Sequence, residues 1–191
     1  MDYEKLKELT KRVHYNATAH GFHEEKKSDA HWLCMIMTEI AEAVEADRKQ
    51  SRARMRYFED LQHSKDCGAI SVSERWYHEY YPQKYSLFIK GSIEEELADI
   101  VIRILDFAYE KFGDNVWSES YENAIPNISL SFTENAWLLL RNIIDGSSSG
   151  LHSSIAFVER WSFSLGIDLW WHVEAKMKYN ETRFYKHDKK Y

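Results

Sequence analysis

Proline and glycine are scarce, with 2 Pro and 7 Gly in 191 residues. A β-sandwich or barrel spends many of both on its turns, so the scarcity points to long helices with short connections. Cysteine is scarce too. Cys34 and Cys67 cannot build a disulfide framework, and Cys34, inside an apolar run, reads as a packed thiol. Long apolar runs are absent: the longest, Trp32 to Met37, is far too short to span a bilayer. The start, Met1 to Arg12, alternates charged and apolar residues and lacks the apolar centre of a signal peptide. Cytoplasm is the expected location. A basic excess is missing as well, since 25 Lys and Arg face 31 Asp and Glu for a formal net charge of -6. Non-specific nucleic-acid binding rests on neutralising phosphates and is not expected of such a chain. A carboxylate cluster that needs a cation is compatible with it.

Core material is plentiful, at 44% hydrophobic and 15% aromatic residues. The length suits one domain over 1–191. Leu6, Leu9, Val13 and Ala17 recur at helical spacing, and Gly21 supplies a stop. Ser28 and Asp29 can cap a second helix carrying Leu33, Ile36, Met37, Ile40 and Val44, with a polar continuation over Arg48–Arg56 able to extend it past Tyr57. The segment 64–91 is the least regular. It holds Gly68, Pro82 and the aromatics Trp76, Tyr77, Tyr80, Tyr81 and Tyr85, and reads as an insertion with room for one short helix. Ser92-Ile-Glu-Glu95 matches a capping box and opens a helix to about Lys111, stopped near Gly113. A second box, Ser131-Phe-Thr-Glu134, opens a helix ending at Asp145-Gly146, and Gly146–Gly150 reads as a flexible link. Helices follow from Leu151 to Leu165 and, capped by Asp168, to Thr182, ahead of a basic extended tail from Phe184. The expected class is all-α.

Two acidic pairs carry the chemistry. An i,i+3 spacing puts Glu39 beside Glu42, and Glu96 beside Asp99, about 5–6 Å apart on one helical face. Like charges so placed need compensation, and a divalent cation with oxygen ligands supplies it. A lone pair of this kind is usually plain surface. The second pair differs, because Ile93, Leu97, Ile100, Ile104 and Phe107 cover one side of its helix and Val101, Ile102, Leu105 and Ala108 most of the rest. Only a stripe of roughly 80° remains polar, and it holds Glu96, Asp99, Arg103 and Asp106. Helices apolar nearly all round are normally buried, so this stripe is expected to have a task. Glu95 lies beside it, but capping accounts for that residue. Glu39 borders the apolar stripe of its own helix, and Glu42 lies among Ala41, Ala43 and Ala46.

Thr38-Glu-Ile-Ala-Glu-Ala-Val-Glu45 followed by Glu95-Glu-Leu-Ala-Asp-Ile-Val-Ile102 resembles the MazG-like, all-α nucleoside triphosphate pyrophosphohydrolase superfamily. The likeness extends to Asn16-Ala-Thr-Ala-His-Gly-Phe22 and to Lys176-Met-Lys-Tyr-Asn-Glu-Thr-Arg183. It implies a helical bundle, assembled as a homodimer or homotetramer, that binds a nucleoside triphosphate. Glu39, Glu42, Glu96 and Asp99 would hold Mg²⁺, or Mn²⁺, and Glu39 or Glu42 would orient the attacking water. Lys176 and Asn180 would approach the phosphates, with Arg183 beside them, although a basic last turn complementing the helix dipole is the competing explanation. Asn16 falls where relatives recruit polar groups for base or phosphate, and equally where a helix end needs a cap. The 64–91 segment separates the two acidic motifs further than in compact members, which puts the pocket shape in question. A non-catalytic nucleotide-binding or helical dimerisation module is the alternative. The short phosphoribosyl-ATP pyrophosphohydrolase form does not suit the long C-terminal half.

Other signals are weaker. His187-Asp188 lacks the further His and Asp ligands of an HD-type phosphohydrolase. Nine His residues occur and raise the question of a transition metal, yet none is paired as ExxH or HxxxH on a helix, which argues against a ferritin-like di-iron site. Trp137, Trp161, Trp170 and Trp171 are expected in the core or a subunit interface.

Overall fold

The stretch from Ile93 to Phe112, apolar on nearly every side, is the helix around which the others assemble. In the computed structural model the described residues are 3–58, 79–117 and 129–185. They form α1 (Tyr3–Ala19), α2 (Asp29–Arg48), α3 (Tyr81–Phe88), α4 (Ile93–Phe112), α5 (Phe132–Ile143), α6 (Ser148–Ser164) and α7 (Leu169–Glu181), with a 3₁₀ turn at Gly113–Asn115. No strand occurs among the described residues, and none of their helices is long and apolar enough to cross a membrane. The chain is all-α over these residues. α4 packs against α1, α2, α6 and α7, while α5 bridges α2 and α6. Leu97, Ile100, Val101, Ile104, Leu105 and Phe107 of α4 are fully enclosed, each worth roughly 1.5–3 kcal/mol of transfer free energy.

Local capping chemistry sets most helix starts. Ser28 accepts from the His31 amide, Ser92 from Glu95, and Asp168 from Trp171. Ser131 and Glu134 form the full reciprocal box. α1 ends where Gly21 takes a φ of 81° and Phe22 N–H returns to the Ala17 carbonyl. The ring of Tyr185 lies against Gly21, where a Cβ would collide with it.

Four expectations need correction. α2 does not continue through Arg56 but stops at Arg48, and Gln50 turns the chain with a φ of 53°. The reason is competition for the backbone. Ser51 accepts from Ile93 N–H, Arg54 N–H donates to the Phe88 carbonyl, and Ala53 N–H donates to buried Glu94, which also pairs with Arg52. The Gly146–Gly150 link is not free chain: Ser147 caps α6, which starts at Ser148. Gly150 lies in its first turn, where a Cβ would sit 2.6 Å from the Asn142 carbonyl oxygen. Cys34 is exposed rather than packed, and Met37 is also largely exposed. The buried face of α2 runs instead through Trp32, Ile36, Glu39, Ile40, Ala43 and Ala46, whose alanines let α4 approach. Trp161 is in the core and Trp170 and Trp171 are half-buried, while Trp137 is 61% exposed, which excludes the core half of its expectation and leaves the subunit interface.

Residues 81–89 build a second apolar cluster. Phe58, Tyr81, Tyr85 and Ile89 pack on Ala175 and Tyr179 of α7. Tyr85 stacks on Tyr179 at 4.4 Å between ring centroids, and the Tyr81 hydroxyl donates to the Ala175 carbonyl at 2.7 Å. α3 thereby fixes the helix that carries Lys176 and Asn180. Cys67, Gly68, Trp76, Tyr77, His187, Asp188, Lys189 and Lys190 lie outside the described residues.

Candidate functional site

The polar stripe of α4 faces a cavity rather than open water. The cavity is ≈ 320 Å³, and α1, α2, α4, α7 and the Lys90–Gly91 turn supply its wall. Glu39, Glu42, Glu96, Asp99, Lys176, Asn180, Arg183 and Asn16 all line it. Helices distant in sequence thus bring every one of the singled-out residues to one place.

Glu39, Glu96 and Asp99 each offer a carboxylate oxygen, and the three oxygens lie within 4.8 Å of one another. Oxygens held about 2 Å from a Mg²⁺ ion are at most about 4 Å apart, so a small side-chain adjustment would let them share an ion. Glu42 stands apart from this trio, exposed at the rim. Burial first, then the charges of Asp99 and Glu95, push Glu96 up to about 9. Burial likewise raises Asp99 to about 7, against the pull of Lys176 and with the help of Glu39 and Glu95. These carboxylates are crowded and short of positive charge. The donor set fits a hard divalent cation.

Two cations are already committed. Lys176 Nζ lies 2.5 Å from Glu95 Oε1 and 2.6 Å from Asp99 Oδ2. Burial works against its charge, but Asp99 and Glu95 more than offset that, so its pKa is raised. Arg103 Nε donates to Glu39 Oε1 at 2.9 Å, and its pKa is raised by Glu39 in spite of burial. Asn180, on the same face of α7 as Lys176, is buried, and its Oδ1 meets no hydrogen-bond partner. A buried acceptor of that kind calls for a donor from a ligand or water. Arg183 lies over the Tyr179 ring at 5.6 Å. Asn16 lines the cavity, and its backbone carbonyl accepts from the His20 amide and lies 2.8 Å from His20 Nδ1 at the end of α1.

Glu95 needs reassignment. Only half of the box at Ser92 forms: the serine hydroxyl accepts from Glu95 N–H, but the Glu95 carboxylate turns to Gly91 N–H and to Lys176. Glu95 is therefore part of the cavity wall. Lys90 and Phe22 also line it, and no spacing in the sequence marks either.

Further along α4 the stripe meets histidines. Asp106 Oδ1 lies 3.0 Å from His14 Nδ1 and 2.8 Å from His23 Nε2. His23 Nδ1 lies 3.2 Å from Glu110 Oε2, in ion-pair range but without hydrogen-bond geometry. Burial opposes the charge of Asp106, yet the two histidine hydrogen bonds hold its carboxyl below the usual range. Burial also opposes protonation of His23, but Asp106 and Glu110 outweigh it and raise the imidazole.

No known protein family, curated protein or solved structure matches this chain.

Proposed function

We propose that this chain is a Mg²⁺-dependent nucleoside triphosphate pyrophosphohydrolase, converting an NTP or dNTP to the monophosphate and pyrophosphate. One observation carries the reading. Six carboxylates and four cationic side chains, half of them from α4 and the rest from α2, α7 and the segments flanking α4 and α7, line a single cavity of ≈ 320 Å³. Its acid excess disfavours a bare polyphosphate, whereas its bases would serve one once a metal balances the carboxylates. The trio Glu39, Glu96 and Asp99 would hold that metal, with Glu42 at the rim.

Bound Mg²⁺ would neutralise phosphate oxygens and align an in-line displacement. The remaining work belongs to the side chains. Arg183, Lys90 and the Asn180 amide line the same cavity and would bind phosphate oxygens, and Lys176 would exchange part of its contact with Glu95 and Asp99 for the same purpose. In the reaction a water oxygen bonds to phosphorus at the α–β linkage, the bridging P–O bond breaks, and the water proton passes to a carboxylate. Arg103 already engages one Glu39 oxygen, which makes Glu42 the better-placed acceptor of that proton. Dimer or tetramer assembly belongs to the same proposal, as for the superfamily that the two acidic motifs resemble.

A panel of NTPs and dNTPs with Mg²⁺ tests it. Monophosphate plus pyrophosphate is expected from at least one base. Orthophosphate as the product would mean that the reaction class is wrong. No turnover with any base, and no Mg²⁺-linked rise in Tm, would leave a nucleotide-binding module instead.

A further inference from the structure

His14, His23 and Glu110 form a second cluster that the pyrophosphohydrolase reading does not use. They come from α1, the α1–α2 link and α4, and each offers a ligand atom within 4.8 Å of the other two. The ring centroids of His14 and His23 are 4.3 Å apart. A single oxygen, Asp106 Oδ1, contacts one nitrogen of each ring. That contact leaves the opposite nitrogen of each imidazole for another partner. On His23 this is Nδ1, enclosed within a side chain only 7% exposed, facing Glu110 and without a hydrogen bond. Trp32 stacks on the His23 ring at 4.9 Å and Tyr109 lies 4.6 Å from His14, giving the cluster an aromatic shell.

We infer that His14, His23 and Glu110 form a binding site for a borderline-soft divalent metal of the Zn²⁺ class, with Asp106 orienting both imidazoles. Two imidazoles and one carboxylate are a ligand set that zinc and its neighbours accept, with a further position left for water. Mg²⁺ and Ca²⁺ prefer oxygen donors and are disfavoured here. A carboxylate bonded to the far nitrogen of each ligating His is the usual outer-shell arrangement, fixing tautomer and ring orientation. The ion would tie α1 and the α1–α2 link to α4. Through Asp106, which also lines the cavity, it would stiffen one wall of the pocket. The site stands independently of the proposed hydrolysis.

Calorimetric titration of the metal-free full chain with Zn²⁺, alongside Co²⁺ absorption spectra, tests the assignment. Two substitutions keep a donor toward Asp106 while removing the ligating nitrogen: His14→Asn places an amide where Nδ1 stands, and His23→Gln where Nε2 stands. Wild type is expected to take up one Zn²⁺ per chain and to show the visible bands of Co²⁺ bound to imidazole. Each His variant should weaken Zn²⁺ on the order of 100-fold or more, beyond the outer-shell range, and Asp106→Asn by about 10–100-fold. Glu110→Gln, at an exposed position, should also weaken binding and serves if a His variant does not fold. Glu96→Gln should leave Zn²⁺ binding intact. Absence of stoichiometric Zn²⁺ in wild type, or affinity unchanged in the His and Glu110 variants, would overturn the site. So would a loss confined to Glu96→Gln, which would put the ion in the other cluster.

Discussion

The two ends of one polar stripe on α4 behave in opposite ways. At the N-terminal end Glu95, Glu96 and Asp99, joined by Glu39 from α2, share Lys176 and Arg103, and Glu96 and Asp99 are pushed toward protonation. At the C-terminal end Asp106 is bonded to two imidazoles and is held in its ionised form. Glu96, Asp99 and Asp106 are all carboxylates on one stripe of α4, with Asp99 half-buried and the other two buried. What differs is the supply of partners. At the C-terminal end two imidazoles meet the charge of Asp106, which in turn orients them, whereas the N-terminal carboxylates lack matching positive charge and form a donor set that suits a hard cation.

Substitutions at each end probe that contrast. Lys176→Met should have the largest effect on stability, because it leaves two buried carboxylates without a cation. A loss of about 3–5 kcal/mol in urea denaturation is expected for the metal-free protein, and Mg²⁺ should recover part of it. Glu96→Gln should remove about 10²–10³-fold of any Mg²⁺-dependent pyrophosphate release, the equivalent of several kcal/mol at the transition state. Circular dichroism should be unchanged, and the metal-free Tm should not fall. Asp106→Asn should do the reverse, costing roughly 1.5–3 kcal/mol of stability through its charged hydrogen bonds. If instead Glu96→Gln destabilises as Asp106→Asn does, the two ends are alike and the contrast fails.

The smallest effect is in the pH profile, where the two ends should have opposite signs. The folded state raises Glu96 from 4.5 to about 9 and Asp99 from 3.8 to about 7. The stability these groups contribute is fully present below their unfolded values and is lost as pH rises through about 7 and then 9. Saturating Mg²⁺ should flatten that alkaline decline, and so should Glu96→Gln. Asp106, held below its ordinary 3.8, contributes stability above that value that is lost on acidification. Chemical denaturation at a series of pH values would show both limbs.

Local features of the sequence carried much of this arrangement. Serine and aspartate caps announced the starts of α2, α4, α5 and α7, and the near-complete apolar cover of α4 isolated its stripe. Distant partnerships were silent. Lys176 meets Glu95 across 81 positions, and His14 and His23 meet Asp106 across 92 and 83. No spacing rule spans such gaps, so Glu95 read as a cap and the histidines as unrelated. The end of α2 was hidden for a similar reason. Helical propensity over Arg48–Arg56 loses to hydrogen bonds with Phe88, Ile93 and Glu94, which lie on other elements.

Binding of Mn²⁺, followed by the loss of its free-ion electron paramagnetic resonance signal, tests the central claim most directly. The cation-poor end of α4 predicts stoichiometric binding that persists in His23→Gln and disappears in Glu96→Gln. Mn²⁺ binding that is absent, or that survives Glu96→Gln unchanged, would contradict it.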